Sequence, residues 1–94
     1  MTSYLRQHGE GKAGQIPIDN ESWDLDVQLR SLLKWMNEHP DFNSEGAEWI
    51  VDVGYEPRPN AVVAGYTVSV ELMTILVRKN VTLWFSDYLN DDRA

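Results

Sequence analysis

The sequence predicts an α+β domain: a small three- or four-stranded mixed sheet with two helices packed on one face. Three observations predict it. Two aromatic-bearing strand patterns, Glu48 to Tyr55 and Val81 to Tyr88, stand in the second half of the chain. A helical pattern from Val70 to Lys79 joins them. A second, amphipathic helical pattern precedes both, from about Asp26 to Asn37. A chain of 94 residues is the size of one domain. It divides into a loop-like arm over 1–21, an α+β core over 22–88 and a polar tail over 89–94.

The arm carries Gly9, Gly11 and Gly14 and little apolar periodicity. Gln15-Ile16-Pro17-Ile18 suggests one short strand in it. Trp23 and Leu25 alternate with acidic residues, so Ser22 to Leu25 suits a brief edge strand. Asp26 is then the expected N-cap, its carboxylate accepting free backbone N–H groups. In the first helix, Leu25, Leu29, Leu32, Leu33 and Met36 share one face, with Arg30, Lys34 and Glu38 opposite. Pro40 stops it, because proline cannot continue a helical ladder.

In the next strand Trp49, Val51, Val53 and Tyr55 share one face and Ile50, Asp52 and Gly54 the other. Both faces are mainly apolar or small, so an interior strand is expected, with Asp52 as its anomaly. Glu56-Pro57-Arg58-Pro59 ends it, since prolines give the ladder no donors. Residues 61–68 read two ways: Ala61 to Ala64 suits a short strand that Gly65 turns. Ser69 is the expected N-cap of the second helix, with Glu71 in its first turn, where the helix dipole favours an acid. Only Glu71, Thr74 and Arg78 form a polar stripe on a mostly apolar circumference, so this helix is expected to be mostly buried, against the sheet and against another subunit. Asn80 suits the left-handed position that ends a helix. If the two strands it joins are neighbours, the crossover makes them parallel.

Composition narrows the function. Eight Lys and Arg against 15 Asp and Glu give a formal charge of −7. Such a field repels phosphate backbones and anionic lipid, so neither nucleic acid nor membrane is an expected partner. A basic protein is. No apolar run approaches the ~20 residues of a membrane span. The chain has no cysteine, which excludes disulfides, thiolate metal sites and a thiol nucleophile. The expected compartment is the cytoplasm.

Candidate chemistry is sparse. Gly9-Glu10-Gly11-Lys12-Ala13-Gly14 lacks the hydroxyl residue that a phosphate loop places after its lysine. His8 and His39 have no partner at metal-ligand spacing, and no metal or cofactor is expected. Asp52 and Asp87 are carboxylates in apolar strands; if they approached each other, one pKa would rise, as acid/base chemistry requires. The structural alternative pairs Asp52 with Arg58 or Arg78 and sets Asp87 at an exposed strand end. Trp49, Tyr55 and Trp84, with Arg58 as an anion clamp, are candidates for an aromatic ligand pocket.

Trp23-Asp24-Leu25, the amphipathic helix, Trp49 to Tyr55, Val68-Ser69-Val70-Glu71-Leu72-Met73 and Leu83-Trp84-Phe85-Ser86-Asp87-Tyr88 together resemble the bacterial domain of unknown function 4279. The resemblance runs from about residue 5 to 88 and rests on a W-x-L segment, the helix start and a terminal aromatic strand. It implies a small α+β domain and no particular activity. Such domains usually begin with a further strand and helix, which this chain is expected to lack. An uncovered sheet edge or helix face would follow, and self-association covers such surfaces. A homo-oligomer, with a dimer favoured, is therefore expected. Three functions are open: a self-associating protein-interaction module first, a small-ligand binder using Trp49, Tyr55, Arg58 and Trp84 second, and an enzyme built on Asp52 and Asp87 last.

Overall fold

The computed structural model describes residues 3–7, 14–19, 22–42, 48–56 and 65–88. In chain order the elements are β1 (Ser3–Gln7), β2 (Ile16–Asp19), α1 (Leu25–Glu38), β3 (Trp49–Tyr55), α2 (Val70–Lys79) and β4 (Val81–Asp87). The strands form one mixed sheet in the order β2-β1-β3-β4. β1 runs antiparallel to both of its neighbours, and β3 and β4 are parallel across α2. This is the expected α+β architecture, with four strands and two helices.

The core is the layer between the helices and the sheet. Alternation puts Leu5, Val51, Val53 and Val81 on its sheet side, and Leu25, Leu29, Leu32 and Met36 of α1 with Leu72 and Leu76 of α2 close it from the other. All ten are at most 8 % exposed, and each buried aliphatic side chain contributes roughly 1.5–3 kcal/mol. The stripe expected on α1 is the stripe that faces the sheet, with Leu33 half-buried at its margin.

The structure departs from the sequence reading at three places. The segment read as an arm contains β1, and a hairpin partner over Ile16–Asp19 stands within one residue of the short strand expected at 15–18. Residues 22–24 are not a strand: α1 starts at Leu25, and its N-cap is Asp24, not Asp26. The Asp24 carboxylate accepts from the Val27 N–H at 3.2 Å, while Ser22 Oγ accepts from the Asp24 N–H at 3.1 Å. α2 is less buried than its apolar circumference suggests, with Val70 and Val77 74 % and 78 % exposed. Residues 65–69 carry no strand; the rest of the ambiguous segment, 61–64, lies outside the described residues, as does the polar tail.

Elsewhere the local chemistry acts where expected. The Ser69 hydroxyl accepts from the Leu72 N–H at 3.1 Å and opens α2. Asn80 closes it at φ 56°, ψ 46°, its N–H turned back to Leu76 and Val77 carbonyls. β3 is an interior strand, bonded to β1 on one side and β4 on the other.

Candidate functional site

Strand parity sorts the candidate residues before any distance is measured. In register, Tyr4 lies opposite Asp52, and Asp52 opposite Trp84. These three share the sheet face turned away from the helices, with Arg6 and Ser86 two residues along their strands. The Asp52 carboxylate is 7 % exposed as a residue and takes its partners from both neighbouring strands. It accepts from Ser86 Oγ at 2.6 Å and from the Tyr4 hydroxyl at 3.3 Å, and Arg6 Nε lies 3.6 Å away. The Arg6 guanidinium also sits 5.7 Å from the centre of the Trp84 ring, within cation–π range. Burial, then the neighbouring Asp52 charge, raises the pKa of the Tyr4 hydroxyl above its ordinary value.

The cation beside Asp52 is therefore Arg6, not Arg78, which is exposed on α2 in the helical layer. Arg58 lies outside the described residues. Asp52 and Asp87 do not meet: Asp87 is opposite Tyr55, an odd number of residues from Asp52's partner Trp84, and so faces the helix side. There, burial first and then the Asp87 charge raise the pKa of Tyr55. With an ion pair and two hydroxyl donors, the Asp52 cluster ties β1, β3 and β4 together.

The aromatic candidates divide into separate groups. Trp49 packs edge-to-face on Phe42 at 5.3 Å, and Phe42 on Trp35 at 5.4 Å, with His39 stacked on Trp35 at 3.9 Å. Tyr55, at the opposite end of β3, meets Tyr66 and Phe85 instead. Trp84 is on the other face. Trp49, Tyr55 and Trp84 line no common pocket.

Two clefts border the loop after α1. One, of about 310 Å³, is lined by Met36, Phe42, Ile75, Arg78 and Lys79 among others. Of its two cations, Lys79 is already committed. Lys79 is 6 % exposed, and its ammonium donates to the carbonyls of His39, Pro40 and Phe42 at 2.8, 3.3 and 2.9 Å, which uses all three of its protons. The second cleft, of about 450 Å³, lies on the other side of the same loop beside Ile16, Trp35 and His39. Among the described residues no group of three or more His, Cys, Asp or Glu is placed to hold a metal ion. No described helix is long and apolar enough to cross a membrane.

Among the described residues, the most exposed apolar surface lies at the sheet's β4 edge. β4 ends the strand order, so among the described residues its outer edge has no neighbour. Its first six residues, Val81-Thr82-Leu83-Trp84-Phe85-Ser86, contain no charge, proline or glycine. Trp84 and Phe85 are 52 % and 43 % exposed. α2, which packs on β4, adds Val70, Met73 and Val77 as an outward stripe. Sequence reading could identify the helix as apolar throughout but not which arc the sheet would leave bare.

No family model, curated protein or solved structure matches the chain.

Proposed function

We propose that this chain is a self-associating protein-interaction module whose docking surface is the β4 edge and the adjoining flank of α2. One observation carries the reading: a seven-residue edge strand that begins with six uncharged residues and, among the described residues, has no lysine, proline, bulge or covering segment to protect it. Lysine, proline, a bulge or a covering loop ordinarily blunts such an edge, and Val81 to Ser86 has no such residue. The Asp52 cluster supports the same reading from the other side, because its charges are satisfied within the sheet and offer little to a substrate. The cytoplasm, where a chain without cysteine is at home, is the compartment that goes with this reading.

Sedimentation equilibrium from low to high micromolar concentration tests it, at low and at high salt. Self-association predicts a mass that rises toward twice the monomer with concentration. Salt is expected to tighten it, because each copy carries −7 and screening relieves their repulsion. A basic protein partner has the opposite salt dependence: its capture weakens as salt rises. A folded protein that stays monomeric throughout the range refutes self-association.

A further inference from the structure

We infer that the partner is a second copy of this chain, joined antiparallel along β4 about a two-fold axis through Trp84, giving one continuous sheet with paired α2 helices. This rests on the self-association reading above and specifies its geometry.

The ladder fixes which backbone groups are available. The Tyr88 N–H donates to the Tyr55 carbonyl at 2.9 Å, and Tyr55 lies opposite Asp87. In a parallel pair, alternate residues of a strand bond to the same neighbour. Residues 82, 84, 86 and 88 therefore turn their N–H and C=O groups to β3, while Val81, Leu83, Phe85 and Asp87 turn theirs outward.

A strand pairing with its own copy about a two-fold axis has few registers. Centred on Trp84, the pairing sets Leu83 against the partner's Phe85 and Val81 against the partner's Asp87, and every outward N–H and C=O meets a counterpart. Centred on Leu83 it strands the Asp87 groups, and centred on Phe85 it strands those of Val81. The Trp84 register also makes the two indoles a non-hydrogen-bonded pair, the closer kind, where aromatic cross-strand contacts are strongest.

The helix layer reaches the same axis independently. α2 returns to β4 through the single residue Asn80 and so runs antiparallel to it. Trp84 stands roughly 10 Å along β4 from Val81, at about 3.3 Å per residue. The same distance back along α2, at about 1.5 Å per residue, ends near Met73. An axis through Trp84 therefore crosses α2 at Met73 to Thr74. Two antiparallel copies of α2 then set Val70 against the partner's Val77 and bring the two Met73 side chains together at the axis. The apolar stripe meets itself.

The area is of the right order. Val70, Met73, Val77, Trp84 and Phe85 are 74, 46, 78, 52 and 43 % exposed. Together they leave on the order of 500 Å² of apolar surface bare, against about 800 Å² per partner in a standard interface. The edge backbone of β4 and the exposed Thr82 beside it add to that area.

The chain has no cysteine, so an introduced one reads the register directly. In Trp84→Cys the two sulfurs sit at the axis, where opposed Cα atoms about 4.5 Å apart suit a disulfide. In Thr82→Cys the equivalent atoms are roughly 13 Å apart, beyond reach. Both variants and the wild-type full chain are first checked for fold by circular dichroism. They are then sedimented and oxidised mildly at high micromolar concentration. The expected result is a wild-type dimer, covalent dimer from Trp84→Cys at least tenfold above that from Thr82→Cys, and loss of the dimer in Trp84→Arg, which brings two cations together. A wild-type dimer whose two cysteine variants cross-link equally overturns the register and leaves self-association standing. A wild-type monomer overturns both, as when residues 57–64 of the same chain or a different protein cover the edge.

Discussion

Replacing Lys79 by methionine isolates what a buried ammonium does for this fold. Methionine keeps most of the apolar stem and removes every donor. Each charge-assisted hydrogen bond contributes about 1.5–3 kcal/mol net, but the losses at the three carbonyls are unequal. His39 and Pro40 are exposed and Phe42 is half-buried. The first two carbonyls regain water when Lys79 is removed; the Phe42 carbonyl regains it poorly and costs about 1–3 kcal/mol unpaired. Relief from holding an ammonium away from water offsets part of the loss. The expected net change is therefore about 2–3 kcal/mol of destabilisation. In a domain of this size that lowers Tm by roughly 10–20 °C. It also lowers the urea midpoint by on the order of 1–2 M. Urea melts at one fixed protein concentration, so that any dimerisation contributes equally, are the assay. Arg78→Met, one residue away and exposed, is the control and should change stability by less than about 0.5 kcal/mol. If Lys79→Met melts with Arg78→Met, the three bonds contribute nothing measurable and the reasoning is wrong.

The remaining predictions concern the sheet and a helix end. Asp52→Ala strips Ser86, Tyr4 and Arg6 of their shared acceptor and should cost about 1–3 kcal/mol in a urea melt; a variant as stable as wild type would mean that the cluster is energetically idle. Asn80 holds φ 56°, so Asn80→Gly should be near neutral while Asn80→Val loses about 1–2 kcal/mol, and equal thermal melts for the two would refute the left-handed cap as the cause. Tyr4 and Tyr55 both have pKa values raised in the fold. Their contribution is fully present below the unfolded value near 10 and is lost as pH rises through the folded one. Melts between about pH 8 and 11 should therefore show stability falling above 10, and less steeply in Tyr4→Phe combined with Tyr55→Phe; an unchanged slope contradicts it.

What the sequence disclosed depended on how local its causes were. Ser69 and Asn80 bracket α2 at the expected positions because a cap is decided within a turn of chain. β3 was readable as an interior strand because its two faces are both largely free of charge. β1 was not readable: of its five residues only Leu5 is a large apolar side chain in the core. Its Tyr4 and Arg6 owe their place to Asp52, dozens of residues away, and local composition carries no trace of that. For the same reason Arg78 and Arg58 looked like partners for Asp52, whereas the β1 register supplies Arg6. The N-cap shifted by two residues between two aspartates of equal capping chemistry. Long-range pairing bears on that choice: the Glu56 N–H bonds to the Trp23 carbonyl, and Gln28 Nε2 reaches the carbonyls of Ser22 and Gly54, anchoring residues 22–24 to the end of β3.

Charge and edge together explain why an unprotected strand need not be indiscriminately sticky. With −7 on each copy, most mutual approaches bring acid against acid, and that repulsion extends over a Debye length of about 8 Å at physiological salt. The strip from Val81 to Ser86 is uncharged, and so are Val70, Met73 and Val77 on α2 beside it. An arrangement that sets this strip against its own copy therefore brings together the least repulsive parts of two acidic molecules. The same strip offers the largest apolar gain, through Trp84, Phe85, Val70, Met73 and Val77. Lysine on the strand would have blocked the edge outright. In the proposed dimer, a net negative charge carried elsewhere would leave the edge open while raising the cost of other approaches, so that one pairing is favoured over many. That is the behaviour needed of an interaction surface, and it follows from where the charges are absent as much as from where the aromatics are placed.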